Sequence, residues 1–502
     1  MPFSFLNTVM SWFLKKRIHQ IELFMKYPIE VQNETLINLL NSAKNTEFGK
    51  KYDFKSINNY DDFSNRIPIT NYEKFYHFIE RSIKGEQNIF WNAPIKWFAQ
   101  SSGTTNSISK FIPVSSETLD KCHFQGGKDA LCLYVNNNTN SNLFSGKSLR
   151  LGGSRKLYEN NNNYFGDLSA ILIDNLPIWA EMISTPNNQI SLIDKWDEKI
   201  NAVIKNTINE DVTSLAGVPS WMLTLLNNVL YETKKTNISE VWPNLEVYFH
   251  GGVNFSPYRQ EFKEIFSNNI NYYETYNASE GFFALQDSND SNELLLMLDY
   301  GIFYEFIEMN YYGTTDEKII NLSQVETGVN YIMIISTNSG LWRYKIGDTV
   351  KFTSTFPYRI KISGRTKNFI NAFGEELIIE NAETALEKTL LAYELNVVEY
   401  TAAPFFMKGK NSGFHQWLIE FKTPPKDLNK FKKDLDINIQ NTNTDYKAKR
   451  FKNITMSEIE IIVARKNQFY DWLKEKKKLG GQNKIPRLCN NRKLIEELLT
   501  YC

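Results

Sequence analysis

The segment Ile95-Lys-Trp-Phe-Ala99, followed by Ser101-Ser-Gly-Thr-Thr105 and then Lys110, gives the first indication of how this chain folds. Its apolar part predicts a strand, and four hydroxyl side chains and one glycine follow in five positions. Hydroxyls and backbone N–H groups together can hold a phosphate, and glycine lets the backbone approach a ligand closely. The spacing is not that of a Walker A loop. An ordinary polar turn is the alternative for this cluster taken alone.

Outward from this segment, short apolar runs alternate with helical patterns. The runs predict strands at Ala170–Ile173, Leu245–Phe249 and Tyr331–Ile335, and the helical patterns predict helices at Trp221–Leu230 and Tyr258–Phe266. Strands that alternate with helices are typical of a layered α/β domain. The first sixty residues are expected to be helical, with residues 33–35 as the cap region of the second helix.

A smaller region of different character begins near Ser363. Its predicted elements are, in order, helix Asn381–Tyr393, strand Val397–Ala402, strand His415–Phe421, helix Asp427–Ile437, strand Ile459–Val463 and helix Gln468–Lys478, which would end at Gly480-Gly481. This order suits a small α+β domain. We therefore predict a large α/β domain over residues 1–362 and a small α+β domain over residues 363–502.

The composition limits the class of function. Fifty-seven Lys and Arg residues balance fifty-seven Asp and Glu residues, which argues against a dedicated nucleic-acid-binding protein. Four scattered cysteines suit neither a disulfide framework nor a four-ligand metal site. The apolar stretch Met1–Leu14 is shorter than the roughly 20 residues that a membrane span needs, and its basic residues follow it. We expect a cytoplasmic protein without a membrane span.

Four further motifs follow in chain order, with a fifth near the end. They are His250-Gly-Gly252, Tyr276-Asn-Ala-Ser-Glu-Gly281, Trp342-Arg-Tyr-Lys-Ile-Gly-Asp348, Ser363-Gly-Arg365 and Lys484-Ile-Pro-Arg487. Each motif is weak when taken singly. In this order and spacing, the chain resembles the auxin-responsive acyl-acid amido synthetase family of adenylate-forming enzymes, as a bacterial-type member. The resemblance runs over nearly the whole chain.

The resemblance implies that ATP and Mg²⁺ bind this chain, and it assigns the residues. The nucleotide-binding positions would be Ser101, Ser102, Thr104 and Thr105 at the phosphates, Gly251, Gly252 and Tyr276 at adenine, Ser279 beside them, and Asp348 and Arg365 at the ribose. Glu280 would contact Mg²⁺, and Lys484 would be the mobile catalytic lysine of the small domain. Ser107 stands where the family usually has a second glycine, and this would stiffen the phosphate loop.

The resemblance also implies a fold and a reaction. The fold would be a large layered α/β N-terminal domain of the adenylate-forming type with a small α+β C-terminal lid domain. The reaction would be ATP-dependent adenylation of a small carboxylic acid, followed by transfer of the acyl group to an amino acid or other amine. A lid is chemically useful because an acyl-adenylate hydrolyses in water. An acyl-CoA ligase and a nucleotide- or acyl-binding protein without catalysis are the alternatives.

The substrate-binding residues are the least determined by the sequence. Trp179, Val218, Trp221 and Met222 are candidates for an apolar acyl pocket, although core packing explains them equally well. The stretch that contains Asn443, Tyr446, Lys449 and Arg450 could meet the carboxylate of the acceptor, because cationic side chains suit that role. We expect no nucleic-acid partner and a monomer or weak dimer.

Overall fold

The computed structural model describes most of the chain between residues 16 and 501. The described residues are 16–101, 110–152, 157–160, 162–193, 195–253, 255, 258–266, 270–289, 291–365, 369–375, 377–407, 412–453, 455–476 and 485–501. Several predicted positions lie outside them: Ser102, Thr104, Thr105, Ser107, Gly480, Gly481, Lys484 and the side chain of Arg365.

Between residues 16 and 83 the described chain is largely helical, which agrees with the helices that the sequence predicts in the first sixty residues. The helices are α1 (residues 16–26), α2 (Pro28–Ala43), α3 (Glu47–Lys51), α4 (Tyr60–Arg66) and α5 (Tyr72–Ile83). Proline opens α2, in a first turn whose backbone N–H groups have no partner within the helix. The predicted cap at residues 33–35 is therefore wrong, because that stretch lies inside α2. Thr46, Asn59 and Asn71 cap the next three helices with their side chains.

Sixteen strands follow in the described part of the chain up to Arg365. They are β1 (Trp97–Ser101), β2 (Lys110–Val114), β3 (Lys147–Leu151), β4 (Tyr158–Asn160), β5 (Asn163–Gly166), β6 (Ser184–Thr185), β7 (Val212–Gly217), β8 (Val247–Gly251), β9 (Asn271–Ala278), β10 (Gly281–Gln286), β11 (Leu294–Leu296), β12 (Ile302–Glu308), β13 (Ile319–Asn321), β14 (Asn330–Thr337), β15 (Tyr344–Thr355) and β16 (Tyr358–Arg365). One sheet has the order β2-β1-β5-β4. The other has the order β13-β12-β14-β15-β16-β11-β10-β9-β8-β7-β3-β6. In this second sheet β6, β3, β7, β8 and β9 are parallel, and the remaining pairs are antiparallel.

Helices cover both faces of the parallel strands. They are α6 (Ser116–Thr118), α7 (Gln125–Asn137), α8 (Leu168–Asp174), α9 (Ile178–Met182), α10 (Asn188–Ser191), α11 (Trp196–Thr207), α12 (Pro219–Thr233) and α13 (Arg259–Ile265), with a π-helical turn at Leu119–Phe124. Phe249 packs with the α7 residue Tyr134, whereas the preceding residue, Tyr248, packs with α12 and α13. This alternation follows from the period of two in a strand. The large domain is thus the layered α/β domain that the sequence predicts.

One predicted strand is wrong. Ala170–Ile173 lies within helix α8. Four consecutive apolar residues cannot distinguish a buried strand from a buried helix segment. Ala170 and Ile171 are buried against the sheet, whereas Leu172 and Ile173 are only partly buried, which is a helical pattern of exposure.

The part of the chain after β16 contains every element that the sequence predicts for the small domain. Its elements are β17 (Phe369–Ile370), β18 (Leu377–Ile378), α14 (Ile379–Ala392), β19 (Val397–Phe405), β20 (Phe414–Phe421), α15 (Leu428–Thr442), α16 (Thr444–Arg450), β21 (Glu460–Val463), α17 (Gln468–Glu475) and α18 (Lys493–Thr500). Strands β19, β20 and β21 form one sheet. Short 3₁₀ turns occur in the two domains at Phe54–Ser56, Leu143–Ser145, Ile238–Glu240, Met309–Tyr311, Leu322–Gln324 and Phe451–Asn453. Within the described ranges, no helix has the length and apolar character to cross a membrane.

A buried ion pair attaches the N-terminal helices to the large sheet. Arg343 donates three hydrogen bonds to the carboxylate of Glu305, at 2.7, 2.9 and 3.2 Å, and further ones to the carbonyl oxygens of Ser64 and Ile67. Both charged side chains are at most 3% exposed. Burial raises the pKa of Glu305, whereas Arg343 and the hydroxyl of Tyr60 act in the opposite direction. The pair therefore fixes α4 and its following loop against β12 and β14.

The Arg343–Glu305 pair gives a test of this attachment. Arg343→Met should destabilise the large domain by about 3–5 kcal/mol, because it leaves a buried carboxylate without its cation. Arg81→Met is the matched control, since Arg81 pairs with Glu47 and Glu86 at an exposed position and should change stability much less. Denaturant unfolding would measure both. Equal effects of the two substitutions would contradict the assigned role.

Candidate active site

The carboxyl ends of the parallel strands carry two of the glycines that the sequence singles out. Gly251 ends β8 and lies opposite Thr275 of β9. A Cβ atom on Gly251 would lie 2.4 Å from the carbonyl oxygen of Thr275, so no larger residue fits here. Gly252 follows with a φ of +81°, which favours glycine. In open parallel sheets, ligands bind outside these strand ends.

Tyr276 and Asp348 lie together in the structure, although 72 residues separate them in sequence. The hydroxyl of Tyr276 donates a 2.7 Å hydrogen bond to Oδ2 of Asp348, and the two residues are 5% and 7% exposed. Asp348 lies within β15 and opposite Arg365 of β16. Asp348 is thus a strand residue and does not lie in a turn. A carboxylate held in this way can accept hydrogen bonds from neighbouring hydroxyl groups of a ligand.

Glu280 lies in the tight turn between β9 and β10, two residues before Phe282. Gly281 begins a strand, so Glu280 does not cap a helix. Burial and the negative charge of Glu280 raise the pKa of Tyr344, which opens β15. Glu280 is thus close to the strand that contains Asp348. Ser279 precedes it in the same turn.

The predicted phosphate loop begins and ends on one hairpin. Ser101 and Lys110 are paired across β1 and β2, and residues 102–109 between them lie outside the described part. The ammonium group of Lys110 lies 5.5 Å from the centre of the Tyr72 ring. Tyr72 also accepts a hydrogen bond from the backbone N–H of Phe111, and burial raises its pKa to about 12. Helix α5 thus fixes the second strand of the hairpin.

The described residues fit the nucleotide that the resemblance implies. The carboxylate of Asp348 suits ribose hydroxyls, and the backbone of Gly251 and Gly252 presents no side chain where a flat base would lie. Among the described residues, no group of three or more His, Cys, Asp or Glu side chains could hold a metal ion.

The four acyl-pocket candidates separate into two places. Val218, Trp221 and Met222 lie at the start of α12, and a Cβ on Gly252 would lie 3.5 Å from Val218. Met222 is completely buried in the core, which is the packing role that the sequence left open. Trp179 lies on α9, beside the edge strand β6, and is 39% exposed. The structure brings Val218 and Trp221, but not Trp179, close to the glycine segment.

Sequence reasoning missed one residue that adjoins this site. The side-chain amide of Asn371, from the small domain, donates a 3.2 Å hydrogen bond to the carbonyl oxygen of Gly252. The backbone N–H of Asn371 donates to the side chain of Asn490, which follows the Lys484–Arg487 motif. Asn371 lies in a segment without a recognisable motif, and its role depends on a contact between domains.

Two buried histidines are neutral in the folded protein. Burial and, to a smaller extent, Arg259 lower the pKa of His250 to about 3, and its ring stacks on Phe255 at 4.0 Å. Burial lowers the pKa of His123, in the π-helical turn, to about 4. His250 is 2% exposed and packs like a structural residue.

Comparisons with known proteins cover the chain in three consecutive regions. Residues 17–270 match the GH3 family N-terminal domain, residues 295–365 the GH3 family central domain and residues 380–493 the GH3 family C-terminal domain. The indole-3-acetic acid-amido synthetase GH3.2 of Arabidopsis thaliana is 24% identical over 410 residues, which cover 67% of this chain and 74% of that protein.

Two solved structures share the fold over nearly their whole length. The AtGH3.15 acyl acid amido synthetase in complex with 2,4-DB aligns with a TM-score of 0.61 and 16% identity, covering 97% of this chain and 96% of that one. The 2-hydroxyisobutyryl-CoA ligase with 2-HIB-AMP and CoA aligns with a TM-score of 0.58 and 13% identity, covering 95% and 92%. Both alignments show a similar fold at low sequence identity.

The buried histidines predict a pH dependence of stability. Because the pKa of His123 is lowered to about 4, the unfolded chain binds a proton between about pH 6.5 and pH 4 that the folded chain does not. The free energy of unfolding should therefore decrease as the pH is lowered from about 6.5 to about 4. The decrease should be about 1.4 kcal/mol per pH unit for one histidine. His123→Gln should make the dependence shallower, and His19→Gln, at an exposed position, is the control. Identical slopes for parent and His123→Gln would contradict the assignment.

Proposed function

The chain belongs to the GH3 family, and on this premise we propose that it is an ATP-dependent ligase that joins a carboxylic acid to an amino acid. The carboxylate of the acid attacks the α-phosphate of ATP, and pyrophosphate leaves. The amine nitrogen then bonds to the acyl carbon, the bond from that carbon to the AMP oxygen breaks, and the nitrogen releases its proton to solvent. The products are an amide and AMP.

The observation that carries the proposal is the hydrogen-bonded pair of Tyr276 and Asp348 at the ends of the strands. We assign the ribose hydroxyls to Asp348, with Arg365 beside it, and the adenine to Gly251, Gly252 and Tyr276. We assign the phosphates to Ser101, Ser102, Thr104 and Thr105, and we place Ser279 at the edge of the base. The position of Val218 next to Gly252 supports an acyl pocket at the start of α12, with Trp221 in its wall.

The first step joins two anions, so the site must neutralise negative charge as it develops. Mg²⁺ supplies part of that positive charge when bound. We assign Glu280 to the ion and Lys484 to the α-phosphate and the attacking carboxylate. Because Lys484 belongs to the small domain, it reaches the α-phosphate only when the two domains are suitably oriented.

Five further parts of the proposal concern the whole protein. We propose that the boundary between the two domains lies at residues 362 and 363, and that the small domain moves as a lid. We further propose that the protein is cytoplasmic, that it is a monomer or a weak dimer, and that it is a bacterial-type member of its family.

Two assays test the proposed reaction. A set of carboxylic acids should be screened for exchange of labelled pyrophosphate into ATP in the absence of an amine. The acid that supports exchange should then give a stable amide with amino acids. A product that neutral hydroxylamine consumes would instead be a thioester, and this result with CoA as acceptor would favour an acyl-CoA ligase. Absence of exchange with every acid would contradict the proposal.

Asp348 provides a test of the ribose assignment. Asp348→Ala should weaken ATP binding, because each hydrogen bond to a charged group contributes roughly 1.5–3 kcal/mol. Asp174→Ala, at an exposed position at the end of α8, is the matched control. Calorimetric titration with ATP would measure both. An unchanged affinity for ATP in folded Asp348→Ala would show that the ribose lies elsewhere.

Lys484 provides a test of the catalytic assignment. Lys484→Ala should slow pyrophosphate exchange by roughly 10²–10³-fold and leave ATP affinity nearly unchanged, because the lysine acts on charge that develops in the transition state. Transfer from a supplied acyl-adenylate should be largely preserved. Lys493→Ala, an exposed lysine at the start of α18, is the control. Unchanged exchange in Lys484→Ala would exclude the catalytic role.

A further inference from the structure

A buried carboxylate of the small domain shapes the loop that contacts the glycine segment of the candidate site. Glu375 is completely buried, and its two oxygens accept hydrogen bonds from the backbone N–H groups of Ala372, at 3.1 Å, and Phe373, at 2.6 Å. Nε2 of His415, in β20, lies 2.7 Å from Oε1 of the same carboxylate. Because both backbone groups donate, Glu375 acts as an acceptor here, and we assign His415 as its third donor.

His415 contributes one polar contact at this position. The ring is completely buried, and its centre lies 6.2 Å from that of Phe373 in a stacked arrangement. In the part of the chain that the structure describes, its Nδ1 atom is buried and has no hydrogen-bond partner. Burial of such an atom is unfavourable, and an apolar residue would avoid it. The hydrogen bond to Glu375 is therefore what a histidine provides here.

The peptide group between Ala372 and Phe373 connects Glu375 to the large domain. Its N–H donates to Glu375, and its carbonyl oxygen accepts a 2.5 Å hydrogen bond from the hydroxyl of Tyr258. The N–H and C=O of a trans peptide point in opposite directions, so the carboxylate fixes the direction of that oxygen. Burial and the negative charge of Glu375 raise the pKa of Tyr258, which keeps its hydroxyl a donor. The next carbonyl oxygen, of Phe373, accepts a 3.3 Å hydrogen bond from the hydroxyl of Ser220.

The same loop reaches the segment that the proposed function assigns to adenine. The side-chain amide of Asn371 donates a 3.2 Å hydrogen bond to the carbonyl oxygen of Gly252, and its backbone N–H donates to the side chain of Asn490 at 2.8 Å. At the other end of the loop, a Cβ on Gly374 would lie 3.2 Å from Cε of Lys449. Gly252 has no side chain to hold its backbone, so a hydrogen bond to its carbonyl oxygen restricts the peptide group that follows it.

We propose that Glu375 and His415 are positioning residues for nucleotide binding, because they give the loop Asn371–Gly374 the shape in which Asn371 holds Gly252. This assignment rests on the proposed function, which places adenine at Gly251 and Gly252. Neither Glu375 nor His415 touches the nucleotide. Both act through the backbone of the loop, so their loss should change the affinity for ATP more than the rate at saturating ATP.

The first test measures ATP binding to the full-length protein. Glu375→Gln replaces one accepting oxygen by a donating amide, so the side chain can no longer accept from all three donors. The variant should weaken ATP binding by roughly 2- to 10-fold, the effect of losing one hydrogen bond between neutral groups. Calorimetric titration measures the Kd. In the exchange assay the KM for ATP should rise by the same factor, while the maximal rate stays within about threefold of the parent.

Glu420→Gln is the matched control for a loss of stability alone. Glu420 lies in the same strand as His415, five residues later and therefore on the opposite face. It is 2% exposed and accepts a 2.7 Å hydrogen bond from the backbone N–H of Asn467. This variant also removes a buried carboxylate of the small domain, yet it should leave the Kd for ATP unchanged. Thermal unfolding of both variants gives the loss of stability for comparison.

Three further variants test whether the effect passes through the loop. Asn371→Ala leaves the pair of Glu375 and His415 intact and should weaken ATP binding by the same factor, also if Glu375→Gln does not fold. The double variant of Glu375→Gln with Asn371→Ala should bind ATP no more weakly than the weaker single variant, because both remove the same contact. His415→Leu should weaken ATP binding, and His415→Gln, whose amide can donate to Glu375, should recover part of the affinity.

The outcomes that would overturn the assignment are distinct. An unchanged Kd for ATP in Asn371→Ala or in folded Glu375→Gln would show that the loop does not support the nucleotide. Equal changes of Kd in Glu375→Gln and Glu420→Gln would show that lost stability accounts for the effect. Additive effects in the double variant would show that Glu375 does not act through Asn371. A parent protein that binds no ATP would contradict the proposed function and this assignment with it, whereas a parent that binds ATP lets the variants test the assignment alone.

Discussion

The hydrogen bond between Tyr276 and Asp348 imposes the main constraint on the large sheet. The residues belong to β9 and β15, which are four strands apart in the sheet order, about 19 Å in a flat sheet. Their side chains cannot span that distance, so the sheet must bend until the two strands approach. Between β9 and β15 in the sheet order lie β11, which has only three residues, and the irregular pairing of β15 with β16. The bend brings residues from distant parts of the sequence into one site.

Buried ion pairs fix the helices around the bent sheet. Arg343 lies five residues before Asp348 and pairs with Glu305, and its φ of +44° is unusual for a residue other than glycine. Arg17 forms a comparable pair with Asp129 and joins α1 to α7. Such pairs add little net stability compared with apolar residues, but an arrangement that left one charge unpaired would be costly. They therefore select one packing of the helices against the sheet.

The sequence predicts elements better than contacts between them. The period of two in Leu245–Phe249 and the helical period in Trp221–Leu230 are local properties, and both elements occur in the structure. Ala170–Ile173 has no period that separates a strand from a helix, and there the prediction is wrong. The resemblance selected Asp348 and Tyr276, but their hydrogen bond depends on the curvature of the sheet. No local pattern contains that information.

The contact between the domains shows why the second half of the reaction is the hardest part to infer from sequence. The first step uses groups that lie in recognisable motifs, because each must meet a fixed part of ATP. The loop Asn371–Gly374 of the small domain contacts Gly252 at one end and Lys449 at the other. The orientation of the small domain is therefore linked through one short loop to Gly252, which the proposed function assigns to adenine. In the proposed reaction, closure of the small domain over the adenylate would act through this backbone and would keep water out while the amine attacks.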